Sequence, residues 1–183
     1  MPFSLTRLAF AVAFSVAVVS AVAIAQGQAQ APAQPPKVTN EPPKTFGKWA
    51  LRCTVAEGGA RSCLLNQVFI QGQTKKLVLR LSVIRKKTSN TDSLVIVAPL
   101  GVDLAKSPAF TVPGVAIGTT PYKFCGRDGC YSEVAISPAL LAEMRKGGQG
   151  QVSFTAFGDG KPVALTVSFE GFADGYAALL ASQ

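Results

Sequence analysis

The chain has 183 residues, with 18 Lys and Arg against 10 Asp and Glu, four cysteines and no histidine. Without histidine there is no Ser-His or Cys-His nucleophile pair, and the commonest transition-metal ligand is missing. A net charge of +8 favours acidic partners, and a chain of this length holds one domain with its own core.

The first element is an export signal. Arg7 supplies a positive flank, Leu8 to Ala25 is apolar except for Ser15 and Ser20, and Ala23-Ile24-Ala25 has the small-x-small form of a cleavage site. Residues 1–25 are therefore read as a signal peptide cut before Gln26. The rival is an uncleaved membrane anchor, because a run of this length could almost span a bilayer. Residues 26–44, rich in Gln, Ala and Pro, have only Val38 and Thr39 as β-branched residues and read as an extended tether. Residues 45–183 form the domain.

Period-two alternation dominates that domain. Trp49, Leu51 and Cys53 share one face, as do Leu77, Leu79, Leu81 and Val83, and as do Val163, Leu165, Val167 and Phe169. Each set faces away from a more polar one, the signature of half-buried antiparallel strands. Further strands are expected at Cys63–Gln71, Ser93–Ala98, Tyr122–Cys125, Cys130–Ile136 and Val152–Phe157, with Asp159-Gly160 turning a tight hairpin. Short strands at this spacing predict an all-β fold, a β-sandwich. Ala98 to Gly118, punctuated by Pro and Gly, forms either an exposed binding loop or two irregular edge strands.

One helix interrupts the strands. Ser137 is its N-cap, Pro138 its first residue and Gly147 its stop, with Leu140, Leu141 and Met144 on the buried side. A second short helix, Ala173 to Gln183, is expected to close the chain using Tyr176, Leu179 and Leu180 as anchors. Both cap the sandwich.

The cysteines fall into two local pairs, Cys53 with Cys63 and Cys125 with Cys130, each separated by a turn-forming segment. In an exported chain an even cysteine count reads as a disulfide framework. A thioredoxin-type centre needs Cys-x-x-Cys at a helix N-terminus, but four residues separate Cys125 from Cys130 and the flanks are strand-like. That spacing alone suits a zinc site, whereas the Cys53–Cys63 spacing does not. Disulfide staples are the favoured reading, with no metal and no cofactor expected.

The carboxylates Glu57, Asp92, Asp103, Asp128, Glu133, Glu143, Asp159, Glu170 and Asp174 stand in no recognisable motif. They read as turn and surface groups, so no catalytic residue is assigned. A glycan or ester hydrolase built on a facing pair is the alternative. Lys75, Lys76, Arg80, Arg85, Lys86 and Lys87 cluster around one strand, on which Lys76, Val78, Arg80, Ser82 and Ile84 share the outward face. Such a patch attracts anionic lipid headgroups, lipopolysaccharide or acidic polymers; alternatively it keeps a sheet edge from pairing with neighbours. It lacks the interleaved aromatics of single-strand nucleic-acid binders, so no nucleic-acid partner is expected.

"FGKWALRC", "APLGVDL", "VPGVAIG", "PYKFCGRDGCYSEVAI", "ALLAEMRKG" and "VSFTAFGDGKPVALTVSFEGFADGYAAL" together resemble the invasion-associated locus B family of alphaproteobacterial exported proteins. The resemblance runs from about Phe46 to the C-terminus. It implies a β-sandwich of immunoglobulin-like character in the periplasm or outer cell envelope, and it agrees with the disulfide reading of all four cysteines. It supplies no established active site, and its name reflects host-cell invasion in a pathogen. The expected function is non-enzymatic: binding an envelope or surface protein, or an anionic envelope polymer. An assembly factor using an open sheet edge is a further alternative. Membrane contact is expected only through the signal peptide or surface charge.

Overall fold

The computed structural model describes residues 37–182 apart from 87, 88 and 90. The segment read as a signal peptide, most of the segment read as a tether, and Lys87 lie outside the described residues.

The described residues form eleven strands and two helices in chain order. They are β1 (Val38–Asn40), β2 (Lys44–Phe46), β3 (Trp49–Ala56), β4 (Arg61–Ile70), β5 (Leu77–Lys86), β6 (Thr91–Ala98), β7 (Ala109–Thr111), β8 (Tyr122–Gly126), β9 (Gly129–Ala135), α1 (Pro138–Arg145), β10 (Gln149–Thr155), β11 (Pro162–Ser168) and α2 (Phe172–Ala181). The larger sheet has the order β1-β3-β4-β5-β6-β9-β8, with β2 also pairing β3; the smaller has β11-β10-β7. All pairs are antiparallel. The two sheets share one apolar core, so the molecule is a β-sandwich.

Register carries the alternation across the larger sheet. Leu51 faces Leu65, Leu65 faces Val83, Val83 faces Leu94, and Leu94 faces Val134, a continuous apolar row on the inner side. One residue along, Ala50, Asn66, Ser82, Val95 and Glu133 form the matching outer row. A one-residue slip in any strand would exchange these rows, so burial of the inner face fixes the pairing.

The smaller sheet and the two helices together cover the inner face. Trp49 is fully buried, meets Phe172 of α2 edge-to-face at 5.1 Å between centroids, and donates its Nε1–H to the Ser168 carbonyl at 2.9 Å. Gly175 lets α2 lie against β4, because a Cβ there would sit 2.7 Å from Leu65 Cδ1. Helix α1 begins as its sequence dictates: the Ser137 side chain accepts from the Leu140 amide, and Pro138 opens the first turn. Leu140 and Met144 are buried and Leu141 partly so. In α2, Tyr176 and Leu179 are buried as expected, while Leu180 is exposed; Phe172 is the further anchor.

Three elements depart from expectation. The sheet reaches back into the segment read as tether, because Val38 and Thr39 pair with β3 through backbone bonds that need no buried side chain. Ala98 to Gly118 is neither wholly loop nor two strands: β7 forms an edge of the smaller sheet, and Val102, Phe110 and Val112 are buried beneath it. Finally, β5 is central in its sheet, so its basic residues protect no edge.

Candidate functional site

Both cysteine pairs are disulfides, and each joins directly opposed residues of neighbouring strands. Cys53 and Cys63 face one another across β3 and β4 with Cα atoms 4.1 Å apart; Cys125 and Cys130 do so across β8 and β9 at 4.0 Å. Opposed residues at a non-hydrogen-bonded antiparallel position come this close, so the sheet itself presents the sulfurs to one another. No free cysteine and no cluster of potential metal ligands occurs among the described residues.

The predicted basic cluster is divided by the pleat. Arg80 projects from the outer face, where it contacts the Tyr131 hydroxyl at 3.3 Å and Asp128 at 3.6 Å. Arg85 lies on the opposite parity and approaches Asp92 at 3.5 Å, next to Tyr176, whose hydroxyl donates to Asp92. Lys86 reaches Glu133 at 2.9 Å, and Lys123 binds the other oxygen of the same carboxylate. With Lys123, Ser93 and Lys86 all bonded to it, the Glu133 carboxyl is pulled down to about 2. Lys75 and Lys76 lie in the turn between β4 and β5, where Lys76 borders a separate hollow together with Arg80. The five described cations are therefore split between the two faces of the strand and do not form one continuous patch.

The outer face of the larger sheet carries an open hollow of about 630 Å³. Its floor follows from strand parity: Leu64 and Asn66 from β4, Ser82 and Ile84 from β5, Val95 and Val97 from β6. Arg52 and Arg80 stand at its rim with Tyr131, and Asn40, Glu41 and Pro43 of the β1–β2 connection border it. Tyr131 is held by stacking on Phe124 at 4.5 Å between centroids. The border is held by Arg61, which grips both Glu41 oxygens at 2.6 Å, and this pairing keeps the Glu41 carboxyl below its usual range. Arg61 also donates to the Ser182 carbonyl at the end of α2.

The floor of the hollow is apolar apart from Asn66 and Ser82, and its rim is cationic. Asn66 is only 6% exposed, and its Oδ1 is buried without a hydrogen-bond partner. A buried unpaired amide oxygen costs free energy on the order of 1–3 kcal/mol, which a structural residue of the same shape would not incur. Arg52 has no acidic partner among the described residues, and the one carboxylate lining the hollow, Glu41, is engaged by Arg61. The rim field is accordingly positive. The chemistry on offer is recognition of a group carrying both apolar surface and negative charge. Sequence reasoning identified Arg80 and its face, including Ser82 and Ile84, but not Arg52, Asn66 or Tyr131. Those residues come from three other strands, and only the register brings them together.

Known proteins place this architecture. The family described as invasion associated locus B (IalB) protein matches residues 49–180. Two invasion protein B homologs of Brucella abortus, from strain 2308 and from biovar 1 strain 9-941, are each 26% identical over 129 residues. Each match covers 70% of this chain and 73% of the relative. The crystal structure of invasion associated protein B from Bartonella henselae superposes with a TM-score of 0.67 at 24% identity, covering 77% of this chain and 96% of that one. The matched residues span both disulfides, the strands β3 to β11 and the part of the hollow that those strands line, and the chain belongs to the invasion associated locus B family.

Proposed function

We propose that this chain is an exported, non-enzymatic binding protein of the cell envelope, and that the hollow on the outer face of its larger sheet holds an acidic segment of an envelope protein or anionic polymer. Export rests on the leader with its Ala-x-Ala end and on two disulfides, bonds that persist in oxidising compartments. Relatives named for invasion agree with a surface or periplasmic role.

The observation that carries the binding role is the pair of guanidiniums, Arg52 and Arg80, standing beside a floor of Leu64, Ile84, Val95 and Val97. Guanidiniums at a rim steer and orient anionic groups, and the apolar centre supplies affinity. Catalysis by a carboxylate pair finds no support in the hollow, where Glu41 is the one carboxylate and is already committed to Arg61.

The test is capture from native envelope extracts by the immobilised chain, compared with Arg52→Glu/Arg80→Glu and with Ser82→Trp, which fills the hollow without altering charge. Both variants should lose the same envelope component while retaining the wild-type melting temperature. Capture that survives both substitutions rejects the hollow as the binding surface.

A further inference from the structure

A second surface lies at one end of the sandwich, where four loop regions converge. The turn between β4 and β5, the loop after β6, the turn between β8 and β9 and the hairpin between β10 and β11 all emerge there. The Phe157 amide donates to the Gly101 carbonyl at 2.8 Å, the Asp103 amide donates to the Thr155 carbonyl at 2.9 Å, and Val102 bridges Ala156. Ile70 pairs with Leu77, and Leu77 and Leu100 line one hollow of about 590 Å³ together with Lys76 and Arg127.

This end exposes large apolar side chains that the fold does not use. Phe157 is 77% exposed, Leu100 61%, Leu104 59% and Ile70 56%. A single exposed leucine needs no explanation, but four protruding apolar groups, Ile70 at the end of β4 and the others on the neighbouring loops, gather at one end of the sandwich. The charges around them are unbalanced. Asp103, Asp128 and Asp159 each pair with a neighbouring cation, Lys106, Arg80 and Lys161 respectively. Lys75, Lys76 and Arg127 have no acidic partner among the described residues.

From this geometry we infer that the loop end is a membrane-docking surface, which inserts Phe157, Leu100, Leu104 and Ile70 into the interface of an anionic bilayer. Lys75, Lys76 and Arg127 lie against the phosphates. Apolar side chains on separate loop tips suit a fluid, featureless partner better than a shaped protein pocket. The surplus of cations beside them complements an anionic leaflet, at about fivefold in partitioning per basic residue near the surface. This surface shares only Arg80 with the outer hollow, so docking would leave that hollow open.

The test uses the full chain and reads depth at the tip itself, because the apolar run Leu8 to Ala25 can bind lipid on its own. Trp49, the chain's single tryptophan, is fully buried, so the Phe157→Trp variant carries one responsive indole. With phosphatidylcholine vesicles containing phosphatidylglycerol, its emission should shift to the blue and be quenched by lipids brominated on the acyl chain. Adding Lys76→Glu/Arg127→Glu should weaken the partitioning reported by that quenching by about a hundredfold or more. Leu100→Glu/Leu104→Glu should abolish quenching with the fold intact by circular dichroism. An indole left unquenched while the chain sediments with vesicles would overturn the inference. So would quenching indifferent to both pairs of substitutions. If the Leu100→Glu/Leu104→Glu variant instead loses a bound protein and lipid contact never occurs, the surface is a protein interface and the assignment is wrong.

Discussion

Replacing each disulfide by alanines gives a graded prediction. Cys53–Cys63 spans ten positions and Cys125–Cys130 five. If a cross-link acts by restricting the unfolded chain, loop lengths of this order correspond to about 2.7 and about 2.1 kcal/mol at 25 °C. The first variant also removes two buried sulfurs from the core, whereas in the second Cys125 is exposed and only Cys130 is buried. Core truncation adds a further transfer and cavity cost, so the gap between the variants should widen. For a domain of this size the unfolding entropy is roughly 0.3 kcal/mol/K, giving expected losses in melting temperature of about 9 °C or more for Cys53→Ala/Cys63→Ala and about 7 °C for Cys125→Ala/Cys130→Ala. Alanine is preferred to serine, which would bury a hydroxyl. Scanning calorimetry at neutral pH, with and without reductant, measures both; reductant, which breaks both bonds, should bring the wild type below either oxidised variant. A reversed order, or two variants melting within about 2 °C of the wild type, would refute the view that the sulfurs brace the sheets.

Other consequences are more local. Glu133, drawn down to about 2, contributes stability above the carboxylate's unfolded value near 4.5 and loses it as pH falls toward 2. Its lysine partners are half exposed, so Glu133→Gln should cost about 1–2 kcal/mol at pH 7 after allowance for screening, and urea titrations should show that difference vanishing between about pH 5 and pH 2. Gly129 has a φ of 141° at the β8–β9 turn, and a Cβ there would lie 2.1 Å from the Ala98 carbonyl oxygen. Gly129→Ala should therefore destabilise by about 3 kcal/mol or more and lower expression, visible as a shifted urea midpoint. Asn66→Leu removes an unpartnered buried oxygen, so the melting temperature should hold or rise while capture of the envelope component weakens, separating binding from folding.

Strands with apolar alternation were readable because one face of each is buried and the period of two is visible without partners. The β5 face of Val78, Arg80, Ser82 and Ile84, and the capped start of α1 at Ser137, follow from local rules alone. The cysteine pairs were legible because each brackets a turn between strands. By contrast β1, β2 and β7 are three residues each, with side chains that carry little pattern; β1 and β7 are held by backbone pairing to strands further along the chain, and β2 by a tight hairpin to β3. The basic cluster misled for a related reason: neighbours along a strand alternate faces, so Arg85 turns toward Asp92 and Tyr176 while Ile84 and Lys86 point outward. The hollow was only partly legible, since Arg52, Asn66 and Tyr131 meet Arg80 through the order of β3, β4, β5, β6 and β9.

The binding role of the outer face is tested most directly by nuclear magnetic resonance of the methyl-labelled chain, titrated with lipopolysaccharide and, separately, with a poly-glutamate peptide. The account predicts saturable shifts for at least one of these ligands at Leu64, Ile84, Val95 and Val97, the methyl groups on the floor of the hollow, with the inner row of Leu65, Leu81 and Leu94 unmoved. Shifts confined to other surfaces, or none with either ligand, would contradict it.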